Sequence, residues 1–258
     1  MGPTLLAHRR LFYDLMGGLD DAVRTGATQL HRWPFAQEGA TSGLDCYELL
    51  ERSPEHSALF WEVMNRDSVG VGTFIAEHVD LSHVRRLADL GGGGGRVAIE
   101  LSRALPQAEI VVVDREAALQ VARRACREEG LHDRIGLVEA DLLRDDLRDV
   151  VGPVDAVVLG GVLSDFDDAR RDDVFARACS LLPIDGRVLV SETLLDDDRG
   201  GPLVPSLLDL LMLTATGGRN LTAAQLRDLF ERHQVKLEQV HRAGSLRDLV
   251  VGRTSATS

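Results

Sequence analysis

The sequence predicts an α/β fold: a doubly wound, mostly parallel sheet with an antiparallel last strand and a helical N-terminal appendage. Three observations carry that reading. From residue 84 onward, short β-rich runs alternate with amphipathic helical segments, the pattern of a parallel sheet covered on both faces. The first of those runs leads into five consecutive glycines, Gly91 to Gly95, which open directly into a helical segment. The last two runs are separated only by a short turn containing Gly244, so they pair as a hairpin and introduce the antiparallel strand.

Residues 1–83 read as the helical appendage. Segments 5–23, 45–51 and 54–79 repeat apolar residues at three-and-four spacing, with breaks at Gly17-Gly18, between residues 39 and 43, and at Pro54. Residues 84–258 read as the sheet domain. Its strands are expected at 84–90, 109–113, 135–139, 156–159 and 187–191, with helices at 95–104, 117–129, 167–182 and 222–233, and the hairpin strands at 235–241 and 246–252. A further helix is expected at 205–213, and the small-polar tail from Thr254 to Ser258 is expected to fray. A doubly wound sheet holds its ligand at the carboxyl ends of the strands.

A length of 258 residues suits one enzyme-sized domain with a modest appendage. Forty-one acids against twenty-nine bases leave a net charge of −12, which repels phosphate backbones and anionic membranes, so neither nucleic acid nor a membrane is an expected partner. Cys46, Cys126 and Cys179 are an odd number spread through helix-like segments without a metal-ligand cluster, which points to reduced, buried thiols, no metal, and a cytoplasmic protein. Residues 1–10 place two arginines straight after a short apolar patch and build no signal-peptide core. Asp155 and Asp209 interrupt the two most apolar stretches before either reaches membrane-spanning length. Lys236 is the one lysine among many arginines, a bias of high-GC bacterial coding sequences.

The strongest chemical signal is the run Leu87-Ala88-Asp89-Leu90 followed by the glycines. Residues without side chains let the backbone turn sharply and approach a ligand, with the amides of the next helix facing it. A flexible linker is the plain alternative, but the position between an apolar strand and an amphipathic helix argues against it. Two ligand classes compete. Gly93, Gly95 and Ala98 satisfy a G-x-G-x-x-A dinucleotide pattern with Asp114 near the expected spacing. Asp89 with Gly91, Gly93 and Gly95 instead gives D-x-G-x-G-x-G, where the carboxylate suits an ammonium group and repels a pyrophosphate.

Asp114 closes the second core strand, where a carboxylate can accept both hydroxyls of a ribose. Asp141 follows the third strand and can face an adenine edge. Each acid alone is as readily a helix cap or a solvated loop residue. Together the three favour a ligand with ribose, adenine and an ammonium group but no phosphate, namely S-adenosylmethionine (SAM).

On these motifs the chain, from about Leu5 onward, resembles the SAM-dependent O-methyltransferases of the caffeic-acid and antibiotic-tailoring type, which use the class I methyltransferase, Rossmann-like fold. The resemblance implies a cofactor site of Asp89, Gly91, Gly93, Gly95, Asp114 and the adenine-flanking pair Asp141 and Leu142, with Ser68 helping to hold the cofactor carboxylate. It implies that Phe60 and Met64, two turns and one turn before Ser68, help wall the acceptor pocket, although plain core packing explains their spacing equally well. Val162-Leu163-Ser164-Asp165-Phe166 corresponds to the family's Leu-His-Asp-Trp signature, Glu192 to the glutamate ending its fifth strand, and Gly217-Gly218-Arg219-Asn220 to the segment before its penultimate helix. Phe166, Leu208 and Met212 complete an apolar pocket for a fairly flat acceptor of secondary-metabolite size.

The departures bear on mechanism. Ser164 stands where the family has the histidine that takes the acceptor's proton, Asn220 where it has a companion glutamate, and Gly160 where it has a lysine beneath the cofactor. Asp165 and Glu192 remain of the polar catalytic group, so the candidate catalytic set is Asp165, Glu192 and Ser164. The family's winged-helix dimerisation domain is missing from this sequence. The resemblance therefore leaves open a truncated start, a homodimer, or a heteromer with a chain that supplies those helices.

Methyl transfer draws most of its rate from holding an acceptor atom close and aligned, and a general base adds about 10²–10⁴-fold. Loss of the histidine thus selects for carboxylates, acidic phenols, enols or activated carbon acceptors. Four functions are weighed: a small-molecule methyltransferase with altered base chemistry, which we favour; a cofactor-retaining enzyme for cyclisation, rearrangement or decarboxylation; a catalytically silent subunit of a heteromer; and a nicotinamide oxidoreductase. The last lacks support, because Tyr13 and Tyr47 precede the glycine loop and Lys236 stands alone, leaving no Tyr-x-x-x-Lys pair.

Overall fold

The computed structural model describes residues 6, 8–36, 43–244 and 247–255. The chain opens with a turn of π-helix at His8–Phe12, then α1 (Tyr13–Met16), α2 (Leu19–Thr25), a 3₁₀ turn at Leu30–Arg32, α3 (Cys46–Glu51), α4 (Pro54–Asp67) and α5 (Val71–His78). Next come β1 (Arg86–Leu90), α6 (Arg96–Ala104), β2 (Glu109–Asp114), α7 (Glu116–Glu128), β3 (Ile135–Glu139), α8 (Leu147–Val150) and β4 (Ala156–Gly160). A 3₁₀ turn at Leu163–Asp165 leads to α9 (Asp168–Cys179), β5 (Arg187–Glu192), α10 (Leu203–Ala215), α11 (Ala223–Arg232), β6 (Val235–His241) and β7 (Asp248–Thr254).

The seven strands lie in the order β3-β2-β1-β4-β5-β7-β6. Strands β1 to β5 are parallel, and β7 runs antiparallel to both β5 and β6. The chain reverses its direction of travel across the sheet between β1 and β4, which opens a crevice at their carboxyl ends. Alternate residues of each strand serve opposite faces. Ala88, Leu90, Val111, Val113, Val157 and Leu159 pack with Phe175 and Phe230 on one side; Leu87, Ile110, Val112 and Val158 pack with Ile75, Ile99 and Leu119 on the other. A separate apolar cluster of Leu11, Leu15, Trp33, Leu50 and Val63 holds the amino-terminal helices together.

Helix starts follow local chemistry. Asp45 and Glu48 form a reciprocal capping box at α3, Thr222 and Gln225 another at α11, and Asp167 caps α9 by accepting from the Arg170 N–H. The apolar periodicity over 54–79 proves to be two helices, α4 and α5, with the break at Ser68 to Gly70. Glu100 of α6 fixes that break by accepting from the backbone N–H groups of Gly70, Gly72 and Thr73 at 2.9–3.3 Å. Val71 and Ile75 of α5 thereby join the sheet's own core, while Val63 of α4 belongs to the amino-terminal cluster.

The hairpin differs in position from expectation. Strand β7 spans Asp248–Thr254 and inserts between β5 and β6, so β6, carrying Lys236, is the outer strand; Leu246 lies outside the described residues. Thr254 is not frayed: its hydroxyl donates to the Pro183 carbonyl at 2.6 Å and its backbone N–H to that of Gly186 at 3.0 Å. The short helix α8 and the two 3₁₀ turns carry too few residues for a periodic signal. The cysteines are unpaired thiols, Cys46 and Cys126 buried and Cys179 half-buried, and burial raises all three pKa values, that of Cys179 to about 12. Among the described residues no helix is long and apolar enough to cross a membrane.

Candidate functional site

The crevice at the carboxyl ends of the strands is a cavity of about 1420 Å³. Single-ligand pockets fall within about 300–1,000 Å³, so this one has room for two ligands side by side. One end is built by the glycine loop, whose Gly91, Gly93 and Gly95 adopt φ of 68°, 56° and 78°, a region side chains disfavour. A Cβ at Gly91 would stand 2.6 Å from Val162, and one at Gly93 3.4 Å from the Trp61 ring. Gly91 and Gly93 line the cavity; Gly95 sits behind its wall, where it opens α6 and where a Cβ would lie 3.3 Å from Ala122.

Asp89 is 1 % exposed at this end, and its Oδ2 has no hydrogen-bond partner. Burial, reinforced by the charge of Asp114, pushes its pKa up to about 7. Asn65 Oδ1, near Gly94, is likewise buried without a partner. Two unmet acceptors beside a glycine loop call for a donor-rich, cationic ligand group. Asp114 ends β2 and accepts from the N–H groups of Gly93 at 2.8 Å and Arg115 at 2.7 Å; burial raises its pKa to about 6. Each of its oxygens keeps a lone pair for a further donor. Asp141 accepts from the Leu143 N–H at 2.9 Å and lies 3.8 Å from the Arg115 guanidinium, while Leu142 reaches within 3.6 Å of the Cβ position of Gly91. These groups fit an adenosyl ligand ending in an ammonium.

Helix α4 forms an adjoining wall with Phe60, Trp61, Met64 and Asn65. Ser68, which caps the end of α4, lines the cavity, and its hydroxyl donates to the Met64 carbonyl at 2.8 Å. Phe60 meets Trp61 edge-on at 5.0 Å, and Trp61 stacks on Tyr47 of α3 at 5.9 Å. Helix α3 is tied down by charge, because Arg115 binds Glu51 through two hydrogen bonds of 2.6 and 2.8 Å and Arg144 binds Glu48 at 2.8 Å. Leu208 and Met212 of α10 and Phe166 close the apolar side.

The turn holding Ser164 and Asp165 is organised by Glu192. Its Oε1 accepts from the N–H groups of Val162 at 2.9 Å, Leu163 at 2.7 Å and Ser164 at 3.4 Å, and its Oε2 from the Ser164 hydroxyl at 3.0 Å. Both oxygens are thus engaged by the turn, although burial raises the carboxyl's pKa. Arg171 adds hydrogen bonds to the carbonyls of Leu163 and Phe166. Gly218 packs from the other side, where a Cβ would lie 2.1 Å from the Ser164 carbonyl oxygen. Asn220 is spent on structure: its backbone N–H donates to Asp209 and its side-chain amide to Pro205.

Asp165 accepts a hydrogen bond from the Tyr47 hydroxyl on Oδ2, and its other oxygen has no hydrogen-bond partner among the described residues. Burial, with the nearby Glu192 charge, raises its pKa to about 7 against the lowering effect of Tyr47 and Arg247. Burial and the Asp165 charge push the Tyr47 phenol well above its usual value. Arg247, the residue before β7, lies over Gly160 and donates to its carbonyl. No group of three or more His, Cys, Asp or Glu side chains among the described residues is placed to hold a metal ion.

The structure therefore brings Ser68, Asp89, Asp114, Asp141, Leu142, Phe60, Met64, Ser164, Asp165, Glu192, Phe166, Leu208 and Met212 to one cavity. Sequence reasoning missed Tyr47, Trp61, Asn65 and Arg247, which also line it. Only the position of Trp61 and Asn65 on the face of α4 beside Phe60, Met64 and Ser68 gave a signal for any of them.

Comparison with known proteins agrees with this geometry. The O-methyltransferase domain profile matches residues 16–234. A 3-hydroxy-5-methyl-1-naphthoate 3-O-methyltransferase of Streptomyces sahachiroi is 38 % identical over 169 residues, 66 % of this chain and 48 % of that protein. The acetylserotonin O-methyltransferase of Gallus gallus is 31 % identical over 243 residues, 91 % of this chain and 65 % of that protein. The crystal structure of human N-acetylserotonin methyltransferase in complex with SAM superposes with a TM-score of 0.86 at 27 % identity, covering 98 % of this chain and 70 % of that one. The chain thus spans from about half to two thirds of the length of these two curated relatives. On fold, site geometry and sequence together, the chain belongs to the O-methyltransferase domain family.

Proposed function

We propose that this chain is a SAM-dependent methyltransferase for a small, secondary-metabolite-like acceptor, acting on oxygen without the histidine base of its relatives. The observation that carries this reading is Asp89: a buried carboxylate with an unpartnered oxygen at the end of β1, beside a glycine loop and one strand from Asp114. Such an oxygen is costly unless the ligand brings a donor, and an ammonium group meets that need.

When bound, SAM supplies an electrophilic methyl group on a sulfonium sulfur. Asp89 and Asn65 would receive its amino group, Asp114 its ribose hydroxyls, and Leu142 and Asp141 would flank its adenine. The apolar wall of Phe60, Met64, Phe166, Leu208 and Met212 orients a flat acceptor and excludes water. Asp165 Oδ1 takes the acceptor's hydroxyl proton. A carboxyl pKa of about 7 suits a base working near neutrality. Glu192 holds the turn that presents Asp165, and Ser164 serves as one of its anchors.

Calorimetry with SAM, S-adenosylhomocysteine and NADH tests the cofactor, and SAM carrying a labelled methyl, incubated with hydroxynaphthoates and other phenols, tests the transfer. The expected result is saturable binding of both adenosyl ligands, none of NADH, and label in an ether product. Binding of NADH alone overturns the reading. Tight SAM binding with no release of S-adenosylhomocysteine over the phenol panel replaces it with a cofactor-retaining enzyme or a silent subunit.

A further inference from the structure

We infer that Arg247 is the oxyanion-binding residue of the acceptor pocket, so that the chain selects acceptors presenting a carboxylate or an ionisable phenol there. This rests on the methyltransferase reading above and adds a residue and a substrate charge to it.

The guanidinium lies over Gly160, where its charge is felt by Asp165 and Glu192 at the turn and also by Asp89 at the glycine-loop end of the cavity. Asp248, the next residue, pairs in register with Glu192, and Arg247 Nη1 donates to the Gly160 carbonyl at 3.0 Å. Gly160 and Gly161 lead directly into the turn that carries Ser164 and Asp165. The space for the guanidinium depends on Gly161 having no side chain, for a Cβ there would lie 2.8 Å from its Cζ. The backbone at Gly161, with φ of 68°, is also one that side chains disfavour.

The other arginines around the cavity are engaged or outside it. Arg115 pairs with Glu51, Arg144 with Glu48, Arg170 with Asp167 and Arg242 with Asp248, while Arg66 is exposed at the rim. Arg247 forms no ion pair among the described residues, and the Gly160 carbonyl accounts for one of its five N–H donors. It is a half-buried cation with a free planar donor edge, facing a pocket that otherwise offers carboxylates and apolar walls. An oxyanion on the acceptor completes it.

The same placement explains how the site works without a histidine. As the proton passes from the acceptor hydroxyl to Asp165 Oδ1, the oxygen left behind is an anion, and Arg247 stabilises it where it forms. A carboxylate acceptor arrives already ionised and needs the arginine alone.

The test uses wild type, Arg247→Gln and Arg247→Lys, each with S-adenosylhomocysteine present and each checked by thermal melting. Affinities for 1-naphthoate and its uncharged isostere 1-naphthamide are compared, and the ionisation of bound 4-nitrophenol is followed by its phenolate absorbance. Wild type is expected to prefer the naphthoate and to lower the apparent pKa of bound 4-nitrophenol. In Arg247→Gln the naphthoate affinity falls roughly 10-fold or more, the nitrophenol pKa returns towards its free value, and naphthamide and S-adenosylhomocysteine bind as before. Arg247→Lys keeps part of the naphthoate preference, and it decides the matter if the glutamine variant does not fold. Equal losses for naphthoate and naphthamide, or a parallel loss of S-adenosylhomocysteine, overturn the inference in favour of a packing or cofactor role. Failure of wild type to bind S-adenosylhomocysteine sinks the methyltransferase reading instead, whereas binding it with no preference for the anion sinks only this one.

Discussion

The Tyr47 hydroxyl donates to the carboxylate of Asp165, 118 residues further along the chain, joining an amino-terminal helix to the turn after β4. The contact places the candidate base under the control of a phenol that burial and the Asp165 charge keep protonated. With the Asp165 pKa at about 7, methylation of an ordinary phenol should rise with pH through neutrality and level off above it. Asp165→Asn should lower that rate by about 10²–10⁴-fold. Tyr47→Phe removes a hydrogen bond that lowers the Asp165 pKa, so the midpoint of its pH–rate profile should move upward. Steady-state rates from pH 5.5 to 9, roughly spanning both limbs of such a titration, check all three.

Cofactor binding should be linked to protons at Asp89. Its pKa of about 7 without ligand means that it is largely protonated at pH 6, roughly one unit below that value, whereas an ammonium partner favours the charged form. SAM affinity should therefore increase from pH 6 to pH 8, about one unit either side, with release of a proton measurable by calorimetry in buffers of different ionisation enthalpy. Asp89→Asn should flatten that dependence and weaken binding by roughly 10–100-fold.

Stability of the ligand-free protein should fall as pH rises between about 4 and 7. Asp89, Asp114 and Asp165 have folded pKa values of about 7, 6 and 7, all above the unfolded value of 3.8, so within that window the folded chain holds more protons than the unfolded one. Their contribution is intact below the unfolded pKa, declines through the window, and is constant again above the folded values. His56 and His241, whose pKa values burial lowers, oppose the trend, but both are half-exposed and count for less. Melting temperatures at pH 5 and pH 8, and their difference in Asp89→Asn, test the sign and its main source; a higher value at pH 8 for the wild type would contradict it.

Gly218→Ala should be far more harmful than a surface glycine change. Its Cβ would fall 2.1 Å from the Ser164 carbonyl oxygen, a backbone atom fixed by the Glu192 and Arg171 hydrogen bonds around it. Overpacking of this kind costs about 1–3 kcal/mol or more, and relief requires the Asp165 turn to shift. Urea unfolding should show the loss of stability, and the variant should lose transfer by a larger factor than it loses SAM affinity.

Much of this was legible in the sequence because it is local. A strand, a glycine loop and a helix succeed one another within Arg86 to Ala104, and the strand-end acids Asp89, Asp114 and Asp141 each follow an apolar run. Tyr47 and Arg247 were not legible, since their place in the cavity comes from α3 docking through Arg115 and from β7 inserting beside β5. The role of Glu192 was only half legible. Its strand was evident, but a carboxylate that gathers three N–H groups from another loop looks in sequence the same as one that takes a proton. The break between α4 and α5 escaped because apolar periodicity continues across it and its cap, Glu100, lies in another helix.

The outer strand β6 presents the sequence's sole lysine to solvent. Lys236 pairs with Arg253, which pairs with Arg187 at the first residue of β5, so it stands at the end of the sheet opposite the cavity. Amine-directed fluorophores or biotin esters, an α-amino group aside, will therefore mark these 258 residues at a single known point. Ligand exchange can then be watched on immobilised molecules without touching the chemistry being observed.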